Sequence, residues 1–377
     1  MRILTLLSHY PRWSETFVRQ DIALLREAGA DLKLASLFQG DCPMEPDWPE
    51  AMMLSSSRES GFALSTARAF PGHRLLPAWL REGLSLFRHR RLLQRVEETC
   101  RSQGIECIYG EFADLAGLLA CLAAKHLGIP FLLGLHARDV HTFKFTERLF
   151  REASAILVCN SAAHLAFLEK HPFAAPKTHL LPHGIDLSQW EFRPREDASG
   201  QKLLFVGRLV PKKGVALLLE ALKQLPTCEL EVVGTGPLEE SLRQQAAGLP
   251  VRWTGRLSRE EVRQKMREAS LLVVSSVVAP DGDRDGVPNV VLEAMACGLP
   301  VVGTQAGSLP ELLTEKTGWP VSDPTPDALA SAIRTALSSQ EEARHRCTAA
   351  RSLIEKCYDA QALARQRLDI IGSCLDI

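Results

Sequence analysis

The sequence lacks the features that mark several large classes of protein. No apolar run approaches the roughly 18 residues that a membrane-spanning helix needs, and the apolar stretch at the N-terminus is shorter than that of a signal peptide. The ten cysteines form no C-x-x-C pair, so their spacing favours small buried side chains over disulfides or a zinc site. The net charge of −1 over 377 residues creates no overall attraction to nucleic acid. We therefore expect a globular protein of the cytoplasm.

Two successive series of short apolar runs alternate with helical patterns along the chain. Such runs are typical of parallel strands that helices cover on both faces. Since 377 residues exceed what one core usually holds, the two series predict two doubly wound, Rossmann-like α/β domains with a cleft between them. The predicted strands are Ile3–Leu7, Leu32–Leu37, Ile105–Tyr109, Phe131–Leu135 and Ile156–Cys159, then Leu203–Val206, Leu230–Val233, Val251–Trp253, Leu271–Ser275 and Val301–Val302.

The intervening segments predict helices with recognisable ends, because capping residues precede several of them and glycines follow. The first would be capped by Ser14 and run to about Ala28. The others cover 114–127, Val215–Leu225, Leu238–Ala246, Arg259–Glu268 and Asn289–Cys297.

A polar stretch without apolar periodicity, Ser188–Gln201, sets the domain boundaries. We predict a first domain over 1–187, a linker over 188–201 and a second domain over 202–355. The helical pattern of 356–377 is expected to pack back onto the first domain. Ligands of doubly wound sheets bind at the carboxyl ends of the strands, so the residues that follow the strands are the candidates for a site.

The segment Asp285–Pro300 predicts a short helix that begins at the carboxyl edge of the second sheet. Pro288 suits the first turn of a helix, where its missing N–H is not needed. Gly298 suits the position just after the helix, and the following proline prevents its continuation.

The start of this helix is a candidate anion site, because unpaired amide groups and the positive end of the helix dipole favour phosphate there. Glu293 lies about one turn further on, where its carboxylate can accept hydrogen bonds from ribose hydroxyls. An ordinary surface helix with a solvated glutamate fits the same pattern. The amide groups concerned are those of Gly286, Val287, Asn289 and Val290.

A second candidate segment is Gly207–Gly214, which joins the first strand of the second domain to the next helix. It carries Arg208 and Lys213, two cations that can neutralise a diphosphate, the arginine in bidentate fashion. Two solvated loop charges are the alternative. Both cations lie in one turn that faces the helix whose first amide groups can bind an anion. This arrangement favours a site for a nucleoside diphosphate.

Five segments in this order resemble the signatures of the retaining nucleotide-sugar glycosyltransferases of family 4, which have the GT-B fold. They are Leu181–Asp186, Gly207–Gly214, Val233–Leu238, Asp285–Pro300 and Ala306–Glu311. Ser14–Phe17 and His136–Asp139 further resemble the members that build cell-surface or capsular polysaccharides. The resemblance covers almost the whole chain. It implies transfer of a sugar from a UDP- or GDP-linked donor to a saccharide or lipid-linked acceptor.

The resemblance implies that the second domain binds the donor. Arg208 and Lys213 would hold the diphosphate, and Glu293 the ribose. Asp285 takes the place of the first glutamate in the family's E-x7-E pattern, one methylene shorter, and would contact the donor sugar. The other donor-binding positions are Gly207, Arg256, Leu257, Gly286, Val287, Pro288, Asn289 and Val290.

The resemblance also implies that the first domain binds the acceptor. His136 matches a histidine near the reacting sugar, so the implied catalytic set is His136, Arg208, Lys213 and Asp285. The segment Ser8–Arg12 replaces the glycine-rich turn that is common in the family. The implied acceptor-side positions are Ser8, His9, Glu15, His136 and Asp139.

The implied reaction needs neither a cofactor nor a metal ion. The leaving diphosphate would help to deprotonate the acceptor hydroxyl, and the protein would stabilise negative charge and position the acceptor. Asp281 and Asp283 match the Asp-x-Asp metal pattern of another glycosyltransferase fold. Aspartate and glycine are also the usual residues of a turn, which explains the same pattern without a metal ion. A nucleotide-sugar epimerase of the same fold and a non-catalytic sugar-nucleotide-binding protein are the alternatives to the transferase.

The segment 68–101 carries eight arginines and three glutamates, interleaved with leucine, tryptophan and phenylalanine. Such a basic amphipathic surface can dock on anionic lipid. We therefore hypothesise peripheral association with the inner face of the cell membrane, with a solvated helical face as the alternative.

Overall fold

Parallel strands form two separate sheets in the computed structural model, which describes residues 1–12, 16–41, 49–55, 78–136, 139–140, 147–193, 201–280 and 282–375. The first sheet has the strand order β3-β2-β1-β4-β5-β6-β7, and the second has the order β10-β9-β8-β11-β12-β13. In both sheets every strand pair is parallel. The strands are β1 (Arg2–Tyr10), β2 (Asp31–Gln39), β3 (Met52–Met53), β4 (Cys107–Gly110), β5 (Phe131–Leu135), β6 (Ala155–Val158), β7 (Thr178–Leu180), β8 (Lys202–Val206), β9 (Glu229–Val233), β10 (Val251–Gly255), β11 (Leu271–Val274), β12 (Val301–Thr304) and β13 (Trp319–Val321).

Helices connect the strands, and three more follow the last strand. The described helices are α1 (Thr16–Glu27), α2 (Ala78–Gln103), α3 (Leu115–Leu127), α4 (Arg148–Glu152), α5 (Ser161–Lys170), α6 (Val215–Leu222), α7 (Glu239–Gln245), α8 (Arg259–Glu268), α9 (Asn289–Cys297), α10 (Leu309–Leu312), α11 (Pro326–Ser338), α12 (Gln340–Cys357) and α13 (Ala360–Leu375). Within the described part of the chain, no helix combines the length and apolar content that crossing a membrane requires.

Both faces of each sheet are buried, which is why the strands are apolar at nearly every position. In β1, Leu4 and Leu6 belong to one core cluster, while Ile3 and Leu7 belong to the cluster on the opposite face. Ile3 pairs in register with a residue of β2 on one side and of β4 on the other. The same division applies in the second sheet. The prediction of two doubly wound α/β sheets is therefore confirmed.

The chain divides into two units, one of residues 1–183 with 360–377 and one of residues 184–359. These bounds differ from the predicted linker over 188–201, because its described part, 188–193, is packed within the second unit. Trp190 is buried there, and its carbonyl accepts a hydrogen bond of 3.0 Å from Arg351 Nη1. Helix α13 belongs to the first unit, where Ala364 and Ile371 join the core that also holds residues of α1.

Local signals account for the helix ends. The Asp114 side chain accepts hydrogen bonds from the amides of Ala116 and Gly117, and Gly128 ends α3 with φ of 68°. Ser258 and Glu261 form a reciprocal capping box at the start of α8. Ser14, the predicted cap of α1, lies outside the described residues.

Three short edge strands were not predicted. β3 has only two residues and β7 is Thr-His-Leu, so neither shows an apolar run. β13 contains Pro320, which a strand tolerates at a sheet edge because its missing N–H is not needed there. Helix α6 ends at Leu222 rather than at the predicted Leu225, since the chain tightens into turns closed by i→i−3 hydrogen bonds.

Candidate functional site

The carboxyl edge of the second sheet brings the glycine-containing turns together. The turn after β8 meets the turn after β9, where the Gly207 amide donates to the Val233 carbonyl at 3.0 Å. The Gly234 amide in turn donates to the Gly255 carbonyl at 2.7 Å, at the end of β10. Segments that lie far apart in sequence therefore form one continuous edge.

Helix α9 begins at this edge with unpaired amide groups. Pro288 is the residue before the first helical turn, with φ of −76° and ψ of 119°, one place earlier than the sequence indicates. Its carbonyl accepts from the Val291 amide at 2.9 Å. Within the described residues, no hydrogen bond is donated by the amides of Gly286, Val287, Asn289 and Val290.

Lys213 and Asp285, predicted to bind different parts of the donor, are paired with each other. Lys213 Nζ lies 2.8 Å from Asp285 Oδ2, and the Ser276 hydroxyl donates to the same oxygen at 2.6 Å. Asp285 is 6% exposed, so its carboxylate is a buried partner of the lysine. The sequence gives no signal for Ser276, which follows β11 in a run of small residues.

Two glycines allow this close packing of Lys213 and Asp285. Gly214 has φ of 61°, and a Cβ at that position would lie 1.8 Å from the Ser275 carbonyl oxygen. Gly307 has φ of 63°, and its Cβ would lie 2.1 Å from the Asp285 carbonyl oxygen. Any other residue at either position would push the loops apart.

The remaining cations of this edge are at the surface. Arg208 is exposed and makes no side-chain hydrogen bond or ion pair within the described part of the chain. Arg256 is also exposed, while Leu257 is half-buried and packs, like Val287 and Val290, against one core cluster of the second unit. Arg208 is therefore available to an anion without breaking an existing contact.

Glu293 lies on α9 beyond the unpaired amides. Its side chain is half-buried and has no hydrogen-bond partner among the described residues. Burial raises the pKa of its carboxyl, although Arg259 and Arg263 act in the opposite direction. An unsatisfied, partly buried carboxylate is suited to accept hydrogen bonds from a ligand.

The Asp-x-Asp pattern falls partly outside the described residues, because Asp281 is among those not described. Asp283 is exposed and lies 3.1 Å from Lys212 Nζ. Lys212 therefore pairs with the acidic loop at this carboxylate.

In the first unit, the predicted His136 is held by a buried carboxylate. Its Nε2 lies 3.0 Å from Glu111 Oε1, and its backbone amide donates to Asp139 Oδ2 at 2.9 Å. Burial lowers the pKa of His136, but Cys159 and Glu111 more than offset this and hold the pKa well above its ordinary value. Phe17 and Phe112 pack against the imidazole, with ring centroids 5.1 and 4.5 Å away.

A second histidine, His183, was not predicted. Its Nδ1 lies 2.8 Å from Asp21 Oδ2, and Arg367 Nη2 of α13 lies 2.9 Å from the same oxygen. Although burial raises the pKa of Asp21, Arg367 and His183 lower it to about 2. The sequence does carry a signal for the residues beside His183, because Glu111, His136 and Cys159 directly follow three neighbouring strands.

The other acceptor-side residues have separate surroundings. Ser8 Oγ accepts from the Ala116 amide at 3.2 Å, so the hydroxyl helps to cap α3. His9 packs on Phe38 with ring centroids 5.3 Å apart, and burial together with Arg12 lowers the pKa of its imidazole. Glu15 lies outside the described residues.

Two family models match the chain, one in each half. The model described as Glycosyltransferase Family 4 matches residues 14–189, and the model described as Glycosyl transferases group 1 matches residues 200–339. Both models describe glycosyltransferases, one of them of family 4, and together they match most of the chain, as the sequence signatures predicted.

Individual relatives are named for polysaccharide synthesis. The chain is 31% identical over 60% of its length to WcaL of Escherichia coli, named for colanic acid biosynthesis, and 26% identical over 98% of its length to WcaL of Salmonella typhimurium, 99% of which is covered. In three such relatives the chain spans between 51% and 65% of the length. The solved structure of Anabaena HepE with UDP is 21% identical, with a TM-score of 0.73 over 99% of this chain and 100% of that one. This likeness confirms the GT-B fold.

Proposed function

We propose that the chain is a retaining glycosyltransferase that moves a sugar from a nucleoside diphosphate donor to a saccharide or lipid-linked saccharide acceptor in cell-surface polysaccharide synthesis. The observation that carries the proposal is the start of α9, where unpaired amides lie at the same sheet edge as Arg208 and Lys213. Free amides at a helix N-terminus together with two cations suit a diphosphate.

The donor site would work chiefly by stabilising charge on the leaving diphosphate. Lys213, held by its ion pair with Asp285, and the exposed Arg208 supply positive charge, and the amides of α9 supply oriented dipoles. Negative charge that develops in the transition state would be stabilised by these groups. We propose this reaction as independent of cofactor and metal ion. The leaving diphosphate itself would accept the proton of the acceptor hydroxyl, with attack from the same face.

Asp285 would act on the donor through Lys213. Its contacts with Lys213 and Ser276 bury the carboxylate, which supports a role in orienting the ammonium group. On this account the shorter side chain, compared with the family's glutamate, keeps the lysine within ion-pair distance. In the first unit we propose His136 as the residue near the reacting sugar, and Asp139 as its positioning partner.

The relatives support the same class of donor. The structure of Anabaena HepE was solved with UDP and also with UDP-glucose, and a Mycobacterium tuberculosis relative is named as a GDP-mannose-dependent mannosyltransferase. We therefore propose a UDP- or GDP-linked sugar as the donor. The backbone of the 255–258 loop would contact the base, with Arg256 and Leu257 beside it.

A thermal-shift panel of nucleotides tests the donor proposal. A ligand at a hundred times its Kd stabilises the folded state by about 2.7 kcal/mol, which raises the Tm by several degrees in a chain of this size. We expect UDP or GDP, with the matching sugar nucleotides, to raise the Tm. We expect the shift to shrink in Glu293→Gln and to persist in Glu315→Gln, which removes an exposed glutamate of the same unit. No shift with any nucleoside diphosphate or nucleotide sugar would contradict the proposal.

We further propose that helix α2 docks on anionic membrane. Phe87 is 73% exposed, the Arg90 guanidinium lies 5.4 Å from its ring centroid, and Arg88 and Arg91 are exposed beside them. A large exposed aromatic among arginines supports binding at a lipid surface. The part of the basic segment over 68–77 lies outside the described residues.

Vesicle co-sedimentation at low salt tests the membrane proposal. We expect the chain to sediment with anionic vesicles and not with zwitterionic ones. Changing Arg88, Arg90 and Arg91 to glutamate should abolish sedimentation, since each basic residue near such a surface contributes about 1 kcal/mol. Equal sedimentation of the variant and the native chain would refute the proposed surface.

A further inference from the structure

Three side chains that bind soft metal ions meet at the carboxyl edge of the first sheet. His136, Cys159 and His183 each offer one ligand atom, and these atoms lie within 4.8 Å of one another. Strands β5, β6 and β7, which precede them, are neighbours in the sheet. The order of the strands in the sheet therefore brings these three side chains together. Across the described ranges this is the one group of three such ligands.

Each imidazole is held on its other nitrogen by a carboxylate. His136 Nε2 contacts Glu111 Oε1 at 3.0 Å, and His183 Nδ1 contacts Asp21 Oδ2 at 2.8 Å. Metal-binding histidines usually donate their second N–H to a carboxylate in this way, which fixes the tautomer and orients the ring. The arrangement leaves His136 Nδ1 and His183 Nε2 as the nitrogens that can bind a ligand.

One of these nitrogens is buried without a partner. His183 Nε2 makes no hydrogen bond to any described residue, and a buried polar atom in that state usually reflects a ligand, a water or an ion. Phe17 packs against both imidazoles, with ring centroids 4.1 Å from His183 and 5.1 Å from His136. The Phe17 ring therefore limits the access of water to His183 Nε2.

The spacing of the two imidazoles suits one tetrahedral ion. Two rings bound at about 2.0 Å through nitrogen would have centroids about 5 Å apart, and the observed separation is 5.0 Å. The ring planes are 13° from parallel, so binding needs a rotation of the rings. The Cys159 sulfur would have to reach a Zn–S distance of about 2.3 Å.

We propose that His136, Cys159 and His183 bind one zinc-class divalent ion, with a fourth position open to water or another ligand. Thiolate and imidazole are both ligands that zinc binds in proteins. An ion here would occupy His136, so the site would be inhibitory to the transfer proposed above. Because binding is measured without donor or acceptor, this proposal and the proposed function can fail separately.

Titration of the tag-free, full-length chain with Co²⁺ tests the site, because cobalt bound to thiolate absorbs by sulfur-to-metal charge transfer. We expect one Co²⁺ per chain with this absorption and its displacement by one Zn²⁺. Cys159→Ser should lose the charge-transfer band, while Cys297→Ser, a half-buried cysteine of the second unit, should keep it. Glu111→Gln should weaken Co²⁺ binding about 10- to 100-fold, through the orientation of His136.

Three results would overturn the metal site. The first is no stoichiometric Co²⁺ or Zn²⁺ binding to the native chain, and the second is an unchanged charge-transfer band in Cys159→Ser. The third is unchanged affinity in Glu111→Gln. Circular dichroism of each variant, compared with the native chain, separates lost binding from lost folding. If Cys159→Ser does not fold, Glu111→Gln decides the question alone.

Discussion

Lys213→Ala should lower the rate of sugar transfer about 100- to 1,000-fold, the usual effect of removing one group that stabilises developing negative charge. Lys213 is 18% exposed and its ammonium group already lies 2.8 Å from Asp285, so its position is fixed before a donor binds. Loss of the lysine removes charge from the proposed diphosphate site. The measurement is kcat and KM for transfer, with the nucleotide that the thermal-shift panel selects.

Arg208→Ala provides the cleaner variant at the same site. Removing Lys213 also leaves the buried Asp285 carboxylate with the more distant Lys212 Nζ, 3.8 Å from Oδ1, as its cation, which costs stability. Arg208 is exposed and has no side-chain partner in the described part of the chain. We expect Arg208→Ala to lower transfer with an unchanged Tm. Lys316→Ala, an exposed lysine of the same unit, should leave transfer and Tm unchanged. Near-normal transfer in both Lys213→Ala and Arg208→Ala would reject the site.

Arg367→Met should destabilise the chain by about 3–5 kcal/mol, the effect of breaking a buried ion pair from one side. Arg367 is 5% exposed, and its Nη2 lies 2.9 Å from Asp21 Oδ2. Its guanidinium also lies 5.7 Å from the Tyr109 ring centroid. Methionine keeps part of the apolar packing but leaves the Asp21 carboxylate buried without its main cation. The measurement is the free energy of unfolding in urea.

Two companion variants separate the ion pair from other effects. Arg365→Met removes an exposed arginine from the same helix and should change stability by less than about 0.5 kcal/mol. Adding Asp21→Asn to Arg367→Met should restore part of the lost stability, because the uncompensated charge is then gone. A small effect of Arg367→Met, equal to that of Arg365→Met, would show that the pair does not hold α13 in the first unit.

The fold was predictable because its signals are local. Phe131–Leu135, Arg259–Glu268 and Asn289–Cys297 were predicted to the residue, since an apolar run or a cap and a stop signal bound each of them. Strands β3, β7 and β13 were missed because their partners in the sheet, rather than their own short sequences, make them strands.

The candidate site was predictable in its positions but not in its pairings. The segment containing Arg208 and Lys213 and the segment starting at Asp285 could be found because they follow strands of one parallel sheet. The ion pair between Lys213 and Asp285 joins residues 72 positions apart, and no periodicity reports such a contact. Asp21, His183 and Arg367 also lie far apart in sequence. They come from α1, the segment after β7, and α13, and they meet only in the folded chain.

The most direct test of the central claim is incubation of the chain with a nucleotide sugar and a saccharide acceptor, followed by analysis of the products. We predict that each transfer releases one nucleoside diphosphate and forms a glycoside that keeps the anomeric configuration of the donor. Interconversion of donor sugars without net release of the diphosphate would identify an epimerase. Binding of the donor with neither transfer nor hydrolysis would identify a non-catalytic binding protein, and either result would contradict the account.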